Sequence, residues 1–114
     1  TARMADDLSI IAAIHLAEGN INKALQYIER AWVILEECVG EGPEFPQRDY
    51  LIAYKILLAA GQIERAYAAL QSANRLVIDR AEKITDPDLR QSFLIQVVVN
   101  REIVETYRNL MGDA

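Results

Sequence analysis

GNINKALQYIERAWVIL, residues 19 to 35, returns in altered form as GQIERAYAALQSANRLV, residues 61 to 77. In each copy a Gly is followed by Ile, then by Ala, and seven residues later by a second Ala. The first copy holds Gly19, Ile21, Ala24 and Ala31; the second holds Gly61, Ile63, Ala66 and Ala73. The two Gly residues stand 42 residues apart. Self-similarity at such a period marks an array of helical units. The Gly ends one helix and turns the chain, because it takes the left-handed conformation with no Cβ penalty. Two small Ala residues on one stripe of the next helix let a neighbour approach closely. Leu25, Ile28, Trp32 and Leu35 flank them in the first copy, and Leu70, Leu76 and Val77 in the second. A pair of this kind cannot bury both faces alone, so it is expected to stack on another pair.

The run G-x-I-x-x-A-x-x-x-[IL]-x-x-A resembles the second half of a tetratricopeptide repeat (TPR). Ala24 and Ala66 hold the first small position, Ile28 and Leu70 the large one, and Ala31 and Ala73 the second small one. The first helices fit that family more loosely. Leu8, Ile11, Ala12 and His15 fall where it prefers Trp, Leu, Gly or Ala, and Tyr; the second copy has Tyr50, Ala53, Tyr54 and Leu57 there. The spacing exceeds the family's usual ~34 residues, which implies longer second helices.

Length and composition set the class. At 114 residues the chain is one domain, 52% apolar and 25% charged, as soluble globular proteins are. Few Gly and Pro favour long helices over a β-rich fold. The net charge of −5 supplies no basic field for nucleic acid or anionic lipid. A lone Cys excludes an internal disulfide framework and a Cys-based zinc site. Cys38 continues the stripe of Ala24 and Ala31, so it reads as a small helix-stripe residue. Glu36 and Glu37 beside it have the wrong sign for an activated thiol. No run of 18 apolar residues is present to span a membrane, and TARMADD lacks the regions of a signal peptide. The expected location is cytoplasmic. Thr1 to Arg3 read as a tag remnant, and the chain as a piece of something larger.

In chain order, helix one is expected over Asp7 to Ala17, with Asp6 or Asp7 in its first turn and Gly19 as its stop. Asn20 caps helix two, which runs to Cys38 before Gly40, Gly42 and Pro43 break the pattern. Helix three begins near Pro46 and ends at Gly61. Helix four runs from Gln62 or Ile63 to about Ile84, with Tyr67, Leu70, Val77, Ala81 and Ile84 on its apolar side. Thr85 or Asp86 caps helix five, and Pro87 fits its first position. Val97, Val98 and Val99 are β-branched, and Asn100 is a good N-cap, so a sixth helix is expected from Arg101 to about Leu110. The whole is all-α, with helix pairs at about 5–40 and 46–84 and capping helices at about 87–111, in a TPR-like solenoid.

A second resemblance covers about two thirds of the chain. EGPEFPQRDYLIAYKILLAAGQ and RAEKITDPDLRQSFLIQVVVNREI look like the TPR tail of large bacterial signalling proteins. In that group the tail follows a nucleotide-binding ATPase module, often beside a cyclase, kinase or transcriptional-activator domain. The residues that carry it are Glu44, Phe45, Pro46, Tyr50, Leu51, Arg80, Ala81 and Ile84. Asp86, Leu89, Arg90, Ser92, Phe93, Leu94 and Asn100 to Ile103 complete it. Val98 departs from it, standing where Pro is expected. No ATPase or cyclase motif is present, so those activities do not carry over.

Nothing in the sequence converges on catalysis. It has no G-x-x-x-x-G-K-[ST], G-x-G-x-x-G or H-E-x-x-H. The single His, His15, sits on the apolar side of helix one and is read as packing against helix two. Asp6 with Asp7 and Glu36 with Glu37 are sequence neighbours, which do not face each other on a helix. No catalytic, cofactor-binding or metal residues are expected. Arg75, Arg80, Lys83 and Arg90 cluster where helix four ends and read as a solvated, dipole-compensating face, or as a docking patch for an acidic segment.

The TPR resemblance implies a peptide groove lined by the first helices. Its positions fall on Asp6, Ser9, Ala13 and Leu16, then on Arg48, Leu51, Lys55 and Leu58. They lack the Asn and Lys pattern by which some relatives clamp a terminal carboxylate. Leu51 and Leu58 have a plainer reading, as packing residues. The expected function is a non-catalytic protein-interaction module within a larger signalling protein, binding a peptide, a protein or other domains of its parent. The alternative is a scaffold that forms a homodimer through exposed helix faces. Neither nucleic acid nor membrane is an expected partner.

Overall fold

Gly19 and Gly61 close two turns of the same geometry. Their φ angles are +80° and +81°. Asn20 N donates to His15 O at 2.8 Å and Gly19 N to Leu16 O at 3.0 Å; Gln62 N donates to Leu57 O at 2.9 Å and Gly61 N to Leu58 O at 3.1 Å. Each is a Schellman turn, in which two orphan carbonyls of the helix end are satisfied by the chain leaving it. The computed structural model describes residues 2–37, 46–95 and 97–112. Its helices are α1 (Ala2–Ala17), α2 (Ile21–Glu37), α3 (Pro46–Ala59), α4 (Ile63–Glu82), α5 (Pro87–Ile95) and α6 (Val98–Met111). Among the described residues there is no strand.

The two turns fold α1 against α2 and α3 against α4, and α3 packs on both helices of the preceding pair. The stripe of small residues lies at these contacts. Ala24, Ala31, Ala66 and Ala73 are all fully buried. Ile28, Ile56, Leu57, Leu70, Val77 and Ile103 fill the core between them. Trp32 of α2 meets Tyr50 of α3 edge to face, with centroids 5.7 Å apart. Ala81 is buried on α4 as expected, Ile84 is half-buried just past its end, and Tyr67 lies at the surface.

Local capping follows the sequence at two helices. Asn20 Oδ1 accepts from Lys23 N at 3.2 Å. Asp86 Oδ1 accepts from Asp88 N at 2.8 Å and Leu89 N at 3.2 Å, with Pro87 at the first helical position. Three expectations need correction. Helix α1 begins at Ala2 rather than Asp7, so neither Asp6 nor Asp7 lies in its first turn. Helix α6 begins at Val98, so Val97 rather than Asn100 is its N-cap. Val98 therefore occupies the first helical position, where Pro is well tolerated. Asn100 is inside the helix and buried, with its amide Nδ2 donating to Phe93 O at 3.1 Å. Cys38, Gly40, Gly42, Pro43, Glu44 and Phe45, and the readings placed on them, lie outside the described residues.

α5 and α6 play unequal parts. α5 lies on α4 and α6 and buries none of its residues. α6 packs on α4 and α3, as α3 packs on α2 and α1. It also ends like α1 and α3, at a Gly of positive φ, Gly112 at +81°. Gly112 follows Gly61 by 51 residues, against 42 between Gly19 and Gly61, mainly because α4 has 20 residues to the 17 of α2 and the link that carries α5 is longer than the one from α2 to α3. In position, α6 is thus a third first helix.

Candidate interaction surface

The eight groove positions divide. Asp6, Ser9 and Leu51 are buried between helices, Ala13 and Leu16 are half-buried, and Lys55 and Leu58 are exposed. Arg48 is half-buried and reaches two carboxylates. Its Nη2 lies 3.8 Å from Asp6 Oδ1 on α1 and 3.6 Å from Asp49 Oδ1 on its own helix. Lys55 Nζ meets Glu102 Oε2 of α6 at 2.7 Å. The first helices are thus tied in series by charge, α1 to α3 and α3 to α6. Asp6, Ser9 and Leu51 serve these seams rather than a surface.

The acid pair at the α1–α3 seam is chemically distinct. Asp49 is fully buried, and burial pushes its carboxyl up to about 8, with Asp6 beside it acting the same way and Arg48 and Ser9 opposing. Two ionised carboxylates have acceptors only, so Asp6 and Asp49 cannot hydrogen-bond each other unless one supplies a donor. A proton on Asp49 supplies that donor and makes Asp6 its acceptor.

On the second helices, Arg65 of α4 forms a bidentate pair with Glu29 of α2, Nη1 to Oε2 at 3.0 Å and Nη2 to Oε1 at 2.5 Å. The same guanidinium lies over Trp32, 5.4 Å from the ring centroid. Its hydrogen bond holds the Glu29 carboxyl below the usual range. His15 stacks on Tyr27 of α2 at 5.4 Å and 16°. Of the basic cluster, Arg75 and Lys83 are exposed, while Arg80 Nη1 donates to Gln47 Oε1 at 3.3 Å. Arg90 donates through Nε and Nη2 to Ile84 O at 3.0 and 2.7 Å, tying α5 to the segment that follows α4.

A different surface emerges from comparing the first helices with one another. At the 42-residue spacing Met4, Asp7, Ile11 and Ile14 of α1 correspond to Pro46, Asp49, Ala53 and Ile56 of α3. All four on α3 are buried. All four on α1 are exposed, Met4 at 46%, Ile11 at 37% and Ile14 at 53%, with Ile10 beside them at 43%. At the longer spacing α6 places buried Asn100 opposite Asp49, buried Ile103 opposite Ile52, and half-buried Val104 and Tyr107 opposite Ala53 and Ile56. On α3 this face carries Asp49, which lies beside Asp6 of α1, and on α6 it carries Asn100, which meets Phe93 of α5. On α1 it is exposed among the described residues, with Met4, Ile10, Ile11 and Ile14 around Asp7. Groove positions projected from the resemblance missed it, although DLSIIAAIHLA shows the signal: apolar residues run round the whole helix, the mark of one packed on several sides.

Comparison with protein-family models, curated proteins and solved structures gave no match.

Proposed function

We propose that this chain is a non-catalytic protein-interaction module of TPR-like helix pairs, acting inside a larger bacterial signalling or regulatory protein in the cytoplasm. One observation carries the reading. The outer face of α1 is built from positions whose counterparts on α3 are buried, yet among the described residues its Met4, Ile10, Ile11 and Ile14 are exposed. Exposed apolar residues gathered on one helix face mark a contact site more often than chance scatter does. An amphipathic helix or helix pair satisfies such a face by laying apolar side chains along it.

The test is an NMR titration of the isotope-labelled chain with a panel of synthetic amphipathic helical peptides. Saturable shifts centred on Ile10, Ile11 and Ile14, abolished by Ile14→Glu, are expected. Shifts confined to Lys55 and Leu58 would move the site to the inner surface of the first helices. A panel that leaves every resonance in place would overturn the reading.

A further inference from the structure

We propose that the contact between α1 and α3 is a seam held shut by a proton shared between Asp6 and Asp49. Loss of that proton parts the two helix pairs along the seam, and they swing about the edge where α2 meets α3 and α4. Asp49 and Ser9 are fully buried at the seam and Asp6 is 6% exposed. One cation faces the two acids: Arg48 Nη2 stands 3.8 Å from Asp6 Oδ1 and 3.6 Å from Asp49 Oδ1. Two buried carboxylates around one guanidinium leave a negative charge unanswered, so the pair keeps a proton between them. The groups that act on Asp49 are Asp6 and Ser9 of α1 and Arg48 of α3 itself. Among the described residues α2, α4 and α6 set no charged group against it.

Ionising Asp49 removes the donor and sets a second negative charge beside Asp6, both away from water. Solvent relieves that charge only by entering between α1 and α3. The fold yields there first, because α1 and α3 each contact their own pair partner far more extensively than they contact each other. The α2 edge holds. Trp32 meets Tyr50 edge to face, and Arg65 pairs with Glu29 and lies over Trp32. Their hydrogen bond keeps the Glu29 carboxyl below its usual value and the Arg65 guanidinium above, so that tie stays charged as pH rises. α6 stays with α3 through Lys55 and Glu102, and its counterpart of Asp49 is Asn100, which does not titrate. The joint between the pairs is thus closed below about 8 and opens as pH climbs through it, changing the angle of one pair on the other.

NMR on the full chain from pH 6 to pH 9 tests this, following the Asp49 carboxyl carbon together with methyl NOEs between helices. The expected result is loss of the α1–α3 NOEs with the midpoint of the Asp49 titration. NOEs of α1 with α2 and of α3 with α4 should persist, and the fluorescence of the single Trp, Trp32, should stay constant. Asp49→Asn should keep the seam closed across the range. Asp6→Asn should lower the Asp49 midpoint and also keep it closed, since the new amide donates to an ionised Asp49. A merely structural role for Asp6 would leave the midpoint where it was. α1–α3 NOEs that survive the titration overturn the hinge, as does loss of every interhelix NOE together, which is global unfolding. An Asp49 carboxyl that titrates in the ordinary acid range overturns the shared proton itself.

Discussion

Asp49 of α3 and Asn100 of α6 occupy equivalent positions on successive first helices, and both are buried. Asn is the neutral near-isostere of a protonated Asp. The chain therefore places an uncharged polar group at this seam twice, once by residue type and once by raising a carboxyl to about 8.

Stability should fall as pH rises across the neutral range. The Asp49 carboxyl ionises near its ordinary 3.8 in the unfolded chain and near about 8 when folded. Between those values the folded state holds a proton that the unfolded state has lost. The contribution is thus complete below 3.8 and disappears as pH climbs through 8. Asp49→Asn should remove this dependence. Urea denaturation of both proteins at pH 5 and pH 8 checks it: the variant gains on the parent as pH rises, and parallel curves would refute the assignment.

Gly19→Ala and Gly61→Ala should cost similar amounts. A Cβ at either position meets nothing within 4 Å, so only the positive φ is penalised. That penalty is about 1–2 kcal/mol for an L-residue in the left-handed region. Asn, which tolerates this conformation, should recover part of it. Thermal melts of the four single variants decide the point, and a cost confined to one Gly would show that the turns are not equivalent.

The Glu29–Arg65 pair should couple weakly. Its side chains are 47% and 39% exposed, so a double-mutant cycle with Glu29→Gln and Arg65→Gln should give under about 1 kcal/mol, falling with salt. Arg65→Lys should lose more than charge alone explains, because Lys cannot keep the bidentate geometry over Trp32. Urea midpoints at low and high salt read both effects.

Removing Arg90 should loosen α5 first. Arg90→Met frees the Ile84 carbonyl from two donors, a loss of roughly 1–3 kcal/mol. Since no residue of α5 is fully buried, faster amide exchange should appear at α5 before α2 or α4. Uniform acceleration across the chain would contradict this.

The all-helical class was legible from the sequence because its signals are local. A Gly at positive φ and Ala at seven-residue spacing act through backbone geometry and close approach, which no distant residue has to supply. Asn20 and Asp86 capped where their neighbours predicted. Asn100 did not, because α6 begins at Val98 and places it inside the helix, where its amide donates to Phe93 O. β-branching at Val98 and Val99 costs a helix only a few tenths of a kcal/mol, about what the packing of Ile103 outweighs. The groove positions were harder still. Whether Asp6 and Ser9 face solvent or a neighbour depends on Arg48 and Asp49, 39 to 43 residues away in the chain.

The link from α4 to α6 is longer than that from α2 to α3 and carries α5, yet α6 still finds its place against α3 and α4. The order of the stack is therefore written on the faces of the helices and not on the lengths of the links between them. Lengthening a connection costs little entropy, growing only with the logarithm of its length. Such a chain can carry passengers at its joints, so that grafts or cargo segments inserted between pairs would leave the stack itself in register.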